Sequence, residues 1–159
     1  MKRKIKGDKI VVLGVGNLLL RDEGAGVHLI KKLKEMEIGD GVEFIDGGTS
    51  VLDALPHRED ISKLIIVDAI KLGGKPGETY KIWVDGSLLK GAKGITSLHQ
   101  MGVAETLALA KKMGKLPPTL IIGIEPKEIG YGVELSSEVA QGMGKMVKLI
   151  LEEIGHMRN

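Results

Sequence analysis

Lys9-Ile10-Val11-Val12-Leu13-Gly14-Val15-Gly16 is an apolar, β-branched run that closes on glycines, the pattern of a parallel strand buried on both faces. It predicts a first strand that ends in a tight turn. Beyond the loop 17–22, Val27, Ile30, Leu33 and Met36 recur at helical spacing among lysines and glutamates, predicting an amphipathic helix over 23–37. Gly39 and Gly41 stop it. Val42-Glu43-Phe44-Ile45-Asp46 reads as a second strand, and Ser50 with Asp53 resembles a capping box for a short helix closed by Pro56 and His57. Leu64-Ile65-Ile66-Val67-Asp68 is a third, wholly apolar strand that ends in a charge.

Further along, the Gly-Gly-Lys-Pro-Gly turn at 73–77 leads into the alternating strand Thr79-Tyr80-Lys81-Ile82-Trp83-Val84. One of its faces is wetter, which suits a sheet edge and leaves an antiparallel direction open. Residues 85–99 read as a loop, and 101–112 as a helix with Ala104, Leu107 and Ala108 turned inward. Pro117-Pro118 precedes a last strand, Thr119-Leu120-Ile121-Ile122-Gly123-Ile124, which runs into Glu125-Pro126. Ser136 or Ser137 then caps a long helix whose stripe is Val139, Met143, Met146, Ile150 and Ile154. This β-α-β-α-β-β-α-β-α order predicts an α/β fold: a three-layer α/β/α sandwich around a mostly parallel sheet of about five strands, with 1–159 as a single domain.

The composition narrows the chemistry. A chain of 159 residues is long enough to bury roughly 70% of its unfolded surface without a disulfide or zinc staple. It has no Cys, which excludes a thiol nucleophile, an iron–sulfur cluster and a Cys-ligated zinc. Only 3% of residues are aromatic, so the core is aliphatic, and 23 glycines against an average of about 7% imply many tight turns. A net charge of +2 without clustering argues against a nucleic-acid partner. The basic start Met1-Lys2-Arg3-Lys4 leads into an apolar run too short and too glycine-broken for a membrane span or a signal peptide. Neither a membrane nor nucleic acid is expected as a partner, and a cytoplasmic location is expected.

Open parallel sheets bind ligands outside the carboxyl ends of their strands. At those ends stand Gly14-Val15-Gly16-Asn17 with Asp22-Glu23-Gly24-Ala25-Gly26, then Asp46-Gly47-Gly48-Thr49, Asp68-Ala69 and Glu125-Pro126. A single acid in such a turn is most often a helix cap, and Asp22 is read that way. Asp68 is different, because a central apolar strand delivers its charge to a partly buried edge, where desolvation is costly unless a cation or donors meet it. His99 sits in the loop before the third helix, whereas His28, His57 and His156 read as structural or solvated. Should Glu23, Asp68 and His99 meet, two oxygens and one imidazole nitrogen would suit a borderline divalent ion such as nickel or zinc. Other templates fail: Leu19 stands where the dinucleotide fingerprint needs its third glycine, and there is no G-x-S-x-G elbow, H-E-x-x-H helix or Walker lysine.

In this order, Gly14-x-Gly16-Asn17, Asp22-Glu23-Gly24-x-Gly26, Asp46-Gly47-Gly48-Thr49, Val67-Asp68-Ala69, Ser97-x-His99 and Gly123-Ile124-Glu125-Pro126 resemble the hydrogenase maturation endopeptidases over nearly the whole chain. The resemblance implies a peptidase of the aspartic type that clips a C-terminal extension from the nickel-loaded large-subunit precursor of a nickel–iron hydrogenase. It makes Glu23, Asp68 and His99 the catalytic, metal-contacting trio, and Asp46, Gly47, Gly48 and Thr49 an adjacent substrate-binding loop. It also implies that the nickel is the ion carried by the precursor rather than a permanent cofactor. Two rivals stay open at this point: a non-catalytic nickel-binding chaperone of the same maturation, and a nucleotide-binding oxidoreductase suggested by Gly14-x-Gly16 and Asp46.

Overall fold

A computed structural model describes residues 9–49, 61–84 and 117–158. The strands are β1 (Lys9–Gly14), β2 (Val42–Asp46), β3 (Ile61–Ala69), β4 (Thr79–Val84) and β5 (Thr119–Ile124). The helices are a 3-10 turn at Arg21–Gly24, α1 (Ala25–Glu35) and α2 (Ser137–Arg158). One five-stranded sheet has the order β2-β1-β3-β5-β4. All of its pairings are parallel except that of β4 with β5. β4 is thus the antiparallel edge strand that its half-wet alternation suggests.

The alternation of side chains across the central strands builds two apolar layers. Ile10, Val12, Ile65, Val67, Leu120, Ile122 and Ile124 meet Leu29, Ile30 and Leu33 of α1 and the whole predicted stripe of α2, Val139, Met143, Met146, Ile150 and Ile154. Val11, Leu13, Leu64, Ile66 and Ile121 face the other way and are also fully buried. A sheet buried on both faces is what the three-layer α/β fold requires.

Three boundaries differ from the sequence reading. β1 ends at Gly14 rather than Gly16: the Val15 N–H makes the last ladder bond, to the Val67 carbonyl (2.9 Å), and Gly16 takes a φ of +153°. The helix expected over 23–37 starts as a 3-10 turn and becomes α-helical only at Ala25. β3 begins three residues early, at Ile61, where Ser62 Oγ donates to the Lys9 carbonyl (3.1 Å) and the pairing with β1 shifts register between Lys9 and Ile10. The helices expected near 50–57 and over 101–112, and the loop 85–99, lie outside the described residues.

Helix α1 can seat itself on the sheet because glycines remove the side chains between them. A Cβ on Gly26 would run into the carbonyl oxygens of Val67 and Val15, and one on Gly14 would strike Ile30 and the Gly26 backbone. Gly26→Ala is therefore expected to lower the melting temperature through overpacking, by about 1–3 kcal/mol of stability in a denaturant titration. Ile66→Ala, which empties a fully buried site, is expected to lose roughly 2–5 kcal/mol by the same measurement.

Candidate active site

Parallel strands bring their carboxyl ends to one rim. β1 is followed in the chain by β2 on one side, while β3 flanks it on the other, so the topological switch point lies between β1 and β3. In open α/β sheets the loops after two such strands part at this point, and ligands bind in the crevice between them. The loop after β1 carries Glu23, and the end of β3 carries Asp68.

Backbone contacts hold both residues to this crevice. Asn17 N–H donates to the Glu23 carbonyl (3.1 Å), and Val15 N–H to the Val67 carbonyl (2.9 Å). The 3-10 turn of Glu23 packs on β3. Asp68 is fully buried and one of its oxygens, Oδ1, accepts from the Ala69 N–H at 2.8 Å. Glu23 is half-buried. Carboxylate oxygens are hard donors of the kind divalent ions take. His99, expected as the third donor, lies outside the described residues, and among those described no three His, Asp or Glu side chains form a metal cluster.

The Asp46-Gly47-Gly48-Thr49 loop stands across β1 from this crevice. Gly47 N–H donates to the Gly14 carbonyl (2.8 Å) and Gly16 N–H to the Gly48 carbonyl (2.7 Å), so the loop prolongs the β1–β2 pairing past the strand ends. Asp46 Oδ1 accepts from the Gly48 N–H (2.9 Å), which shapes its own turn. Gly48 has a φ of +53°, a conformation that disfavours a side chain.

Two other rim carboxylates have structural work that their sequence positions conceal. Asp22 caps neither its own 3-10 turn nor α1. Its buried carboxylate instead accepts from the N–H groups of Lys127, Glu128 and Ser136 and from Ser136 Oγ, each at 2.8 Å. Ser136 in turn accepts from the Val139 N–H (3.4 Å), so the predicted helix cap also meets Asp22. Glu125 is buried as well and braces the loop between β3 and β4, taking the N–H groups of Leu72 (2.9 Å) and Gly74 (2.6 Å) and the Tyr80 hydroxyl (3.0 Å). Burial, together with this bond to Glu125, pushes the Tyr80 hydroxyl up to about 12, and it stays a proton donor. Only Pro126 and the serines hint at these roles in the sequence, because the partners lie far away along the chain.

The glycines read as a possible dinucleotide fingerprint serve packing: Gly16 backs onto the Glu23 carbonyl and Gly14 onto α1. His156 is three-quarters exposed, as its position at a helix end suggests.

Comparison with known proteins defines the class. A family model described as HycI, hydrogenase maturation protease, matches residues 27–153, and the chain belongs to that family. It is a peptidase. It is 38% identical over 148 residues to the hydrogenase expression/formation protein HoxM of Azotobacter vinelandii, covering 90% of this chain and 70% of that protein. Against the hydrogenase expression/formation protein HupD of Rhodobacter capsulatus the identity is 36% over 157 residues, covering 96% and 73%. The structure of the hydrogenase maturating endopeptidase HybD from E. coli superposes with a TM-score of 0.82 at 30% identity, covering 94% of this chain and 93% of that one. The oxidoreductase and non-catalytic readings find no support beside these matches.

Burial acts to raise the Asp22 carboxyl, but the donors on Glu128, Ser136 and Lys127 outweigh it and hold the group below its ordinary range. A carboxyl depressed in the folded state adds stability that is complete above its unfolded value, about 3.9, and that disappears as pH falls through the folded value. Thermal melts below about pH 4 are therefore expected to show a loss of stability that the Asp22→Asn variant lacks in part.

Proposed function

We propose that this hydrogenase maturation peptidase removes the C-terminal extension from the nickel-loaded large-subunit precursor of a nickel–iron hydrogenase, reading the nickel through Glu23, Asp68 and His99. The observation that carries the proposal is that Glu23, on the loop after β1, and Asp68, at the end of β3, flank the β1–β3 switch point, in a chain of this family. The nickel arrives as part of the substrate. Docked against two carboxylates and an imidazole, it keeps open positions, so a water beside the scissile carbonyl is activated either by the ion or by Asp68 as general base. In the second case the reaction is of the aspartic type. The Asp46-Gly47-Gly48-Thr49 loop, on the far side of β1 from Asp68, contacts the peptide beside the cut. The reaction belongs in the cytoplasm, where the precursor acquires its metal; among the described residues no helix is long and apolar enough to cross a membrane.

A macromolecular substrate also accounts for the surface beside Glu23. Leu19 (64% exposed), Tyr131 (94%) and Val133 (62%) stand out from two loops that the bridge between Leu20 and Gly132 ties together. Large apolar side chains held outward on braced backbone suit a protein partner better than water, and here that partner is the precursor.

Incubating the pure protein with nickel-loaded and nickel-free precursor tests this reading. A shortened product is expected from the loaded form alone, and equal cleavage of both would overturn the metal-reading role. Asp68→Ala and His99→Ala are expected to lower kcat by at least about 10²-fold, the scale of general acid–base catalysis, measured on variants that circular dichroism shows to be folded. Tyr131→Ala is expected to raise KM for the precursor roughly tenfold at constant kcat, as loss of an interface anchor does.

A further inference from the structure

We propose that Asp22 is a positioning residue of the peptidase reaction: its carboxylate locks the turn that presents Glu23 onto the loop between β5 and α2. The inference rests on the reading of Glu23 given under Proposed function.

Asp22 directly precedes Glu23 and is completely buried. Its Oδ2 gathers the N–H groups of Lys127 and Glu128 and the Ser136 hydroxyl, while Oδ1 takes the Ser136 N–H. Its own N–H donates to the Glu128 carbonyl at 2.9 Å. One side chain therefore joins the start of the loop, its end and the first turn of α2 to the residue beside Glu23. Charge-assisted bonds of this kind are the strong ones, and so dense a set leaves the Asp22 backbone little room to move.

The residue on the other side of Asp22 supports the same conclusion. Arg21 has a φ of +51°, the one non-glycine residue with positive φ among those described. A side chain in that region is strained, and such strain persists where surrounding contacts over-determine it. The contacts are present: Arg21 N–H donates to the Gly132 carbonyl (3.0 Å), its guanidinium pairs with Glu128, and its Nε donates to the Glu134 carbonyl (3.3 Å). Every one of these ties runs to the same loop. A staple serving stability alone could sit anywhere along the interface between the two loops. Its concentration on the two residues before Glu23 orders the backbone at the point where a reacting carboxylate needs fixed geometry.

The test uses the full chain and nickel-loaded precursor, with kcat and KM measured at a temperature where circular dichroism shows each variant folded. In Asp22→Asn the amide sets an N–H against one of the N–H donors. A fall in kcat of roughly 10²-fold is expected, as for a catalytic group displaced by about 1 Å, with KM within about twofold of wild type. Ser136→Ala, which removes one of the bonds, is expected to fall between the two. Ile150→Val, a small deletion in the core of α2, is expected to lower the melting temperature without touching kcat. Should Asp22→Asn fail to fold, Arg21→Gly replaces it, since glycine accepts the positive φ while the side-chain ties are lost; its kcat is expected to drop with the fold intact. Wild-type kcat in folded Asp22→Asn, or in both Ser136→Ala and Arg21→Gly, would overturn the proposal. Glu23→Gln is the separate control: cleavage that survives this change removes the role of Glu23 itself, whereas its loss beside an active Asp22→Asn removes only the positioning role.

Discussion

The site depends on the close seat of α1 upon the ends of β1 and β3. Gly14 and Gly26 lack the side chains that would hold helix and sheet apart: a Cβ on Gly26 would strike the Val15 and Val67 carbonyl oxygens of the two strand ends. A Cβ at either glycine would meet backbone atoms at under 3 Å, so side chains there would push helix and sheet apart. Here the helix start drops onto the rim. The turn that carries Glu23 thus packs on β3, the strand that ends in Asp68 and Ala69.

Around that seat, the rim holds more carboxylates than a two-carboxylate site uses, and their surroundings sort them. Asp22 and Glu125 are each saturated by N–H and O–H donors from loops. Groups so enclosed act as fasteners for irregular backbone that the sheet cannot pair. Asp68 and Glu23 flank the β1–β3 switch point, the place where open α/β sheets bind ligands. A peptidase built in this way keeps its structural acids and its proposed reacting acids within a few residues of one another. The adjacency of Asp22 and Glu23 makes the stiffness of one available to the other.

That arrangement suits the proposed reading, in which the metal comes with the substrate. Donors that must receive an ion already coordinated by another protein gain from being preset, since any reorganisation would be repeated at each encounter. The braced loops beside the crevice serve the same end, because a rigid apolar ledge loses little conformational entropy when a partner covers it.

The sequence alone determined the elements and the character of the sheet. The β-branched runs at Lys9–Gly14 and Thr119–Ile124, the half-wet alternation of Thr79–Val84 and the stripe from Val139 to Ile154 are local periodicities, set by the repeat of strand or helix itself. The convergence of acids on one rim followed from parallel strands ending in them. What each acid does was decided only by the tertiary structure: Asp22 reads as a helix cap from its neighbours, yet its partners lie 105 to 114 residues away. The place of the crevice likewise depends on strand order, which puts β3 beside β1. Periodicity records what a residue does for its own strand or helix, whereas a buried charge takes whichever donors the completed fold brings within about 3 Å, and no pattern along the chain encodes that meeting.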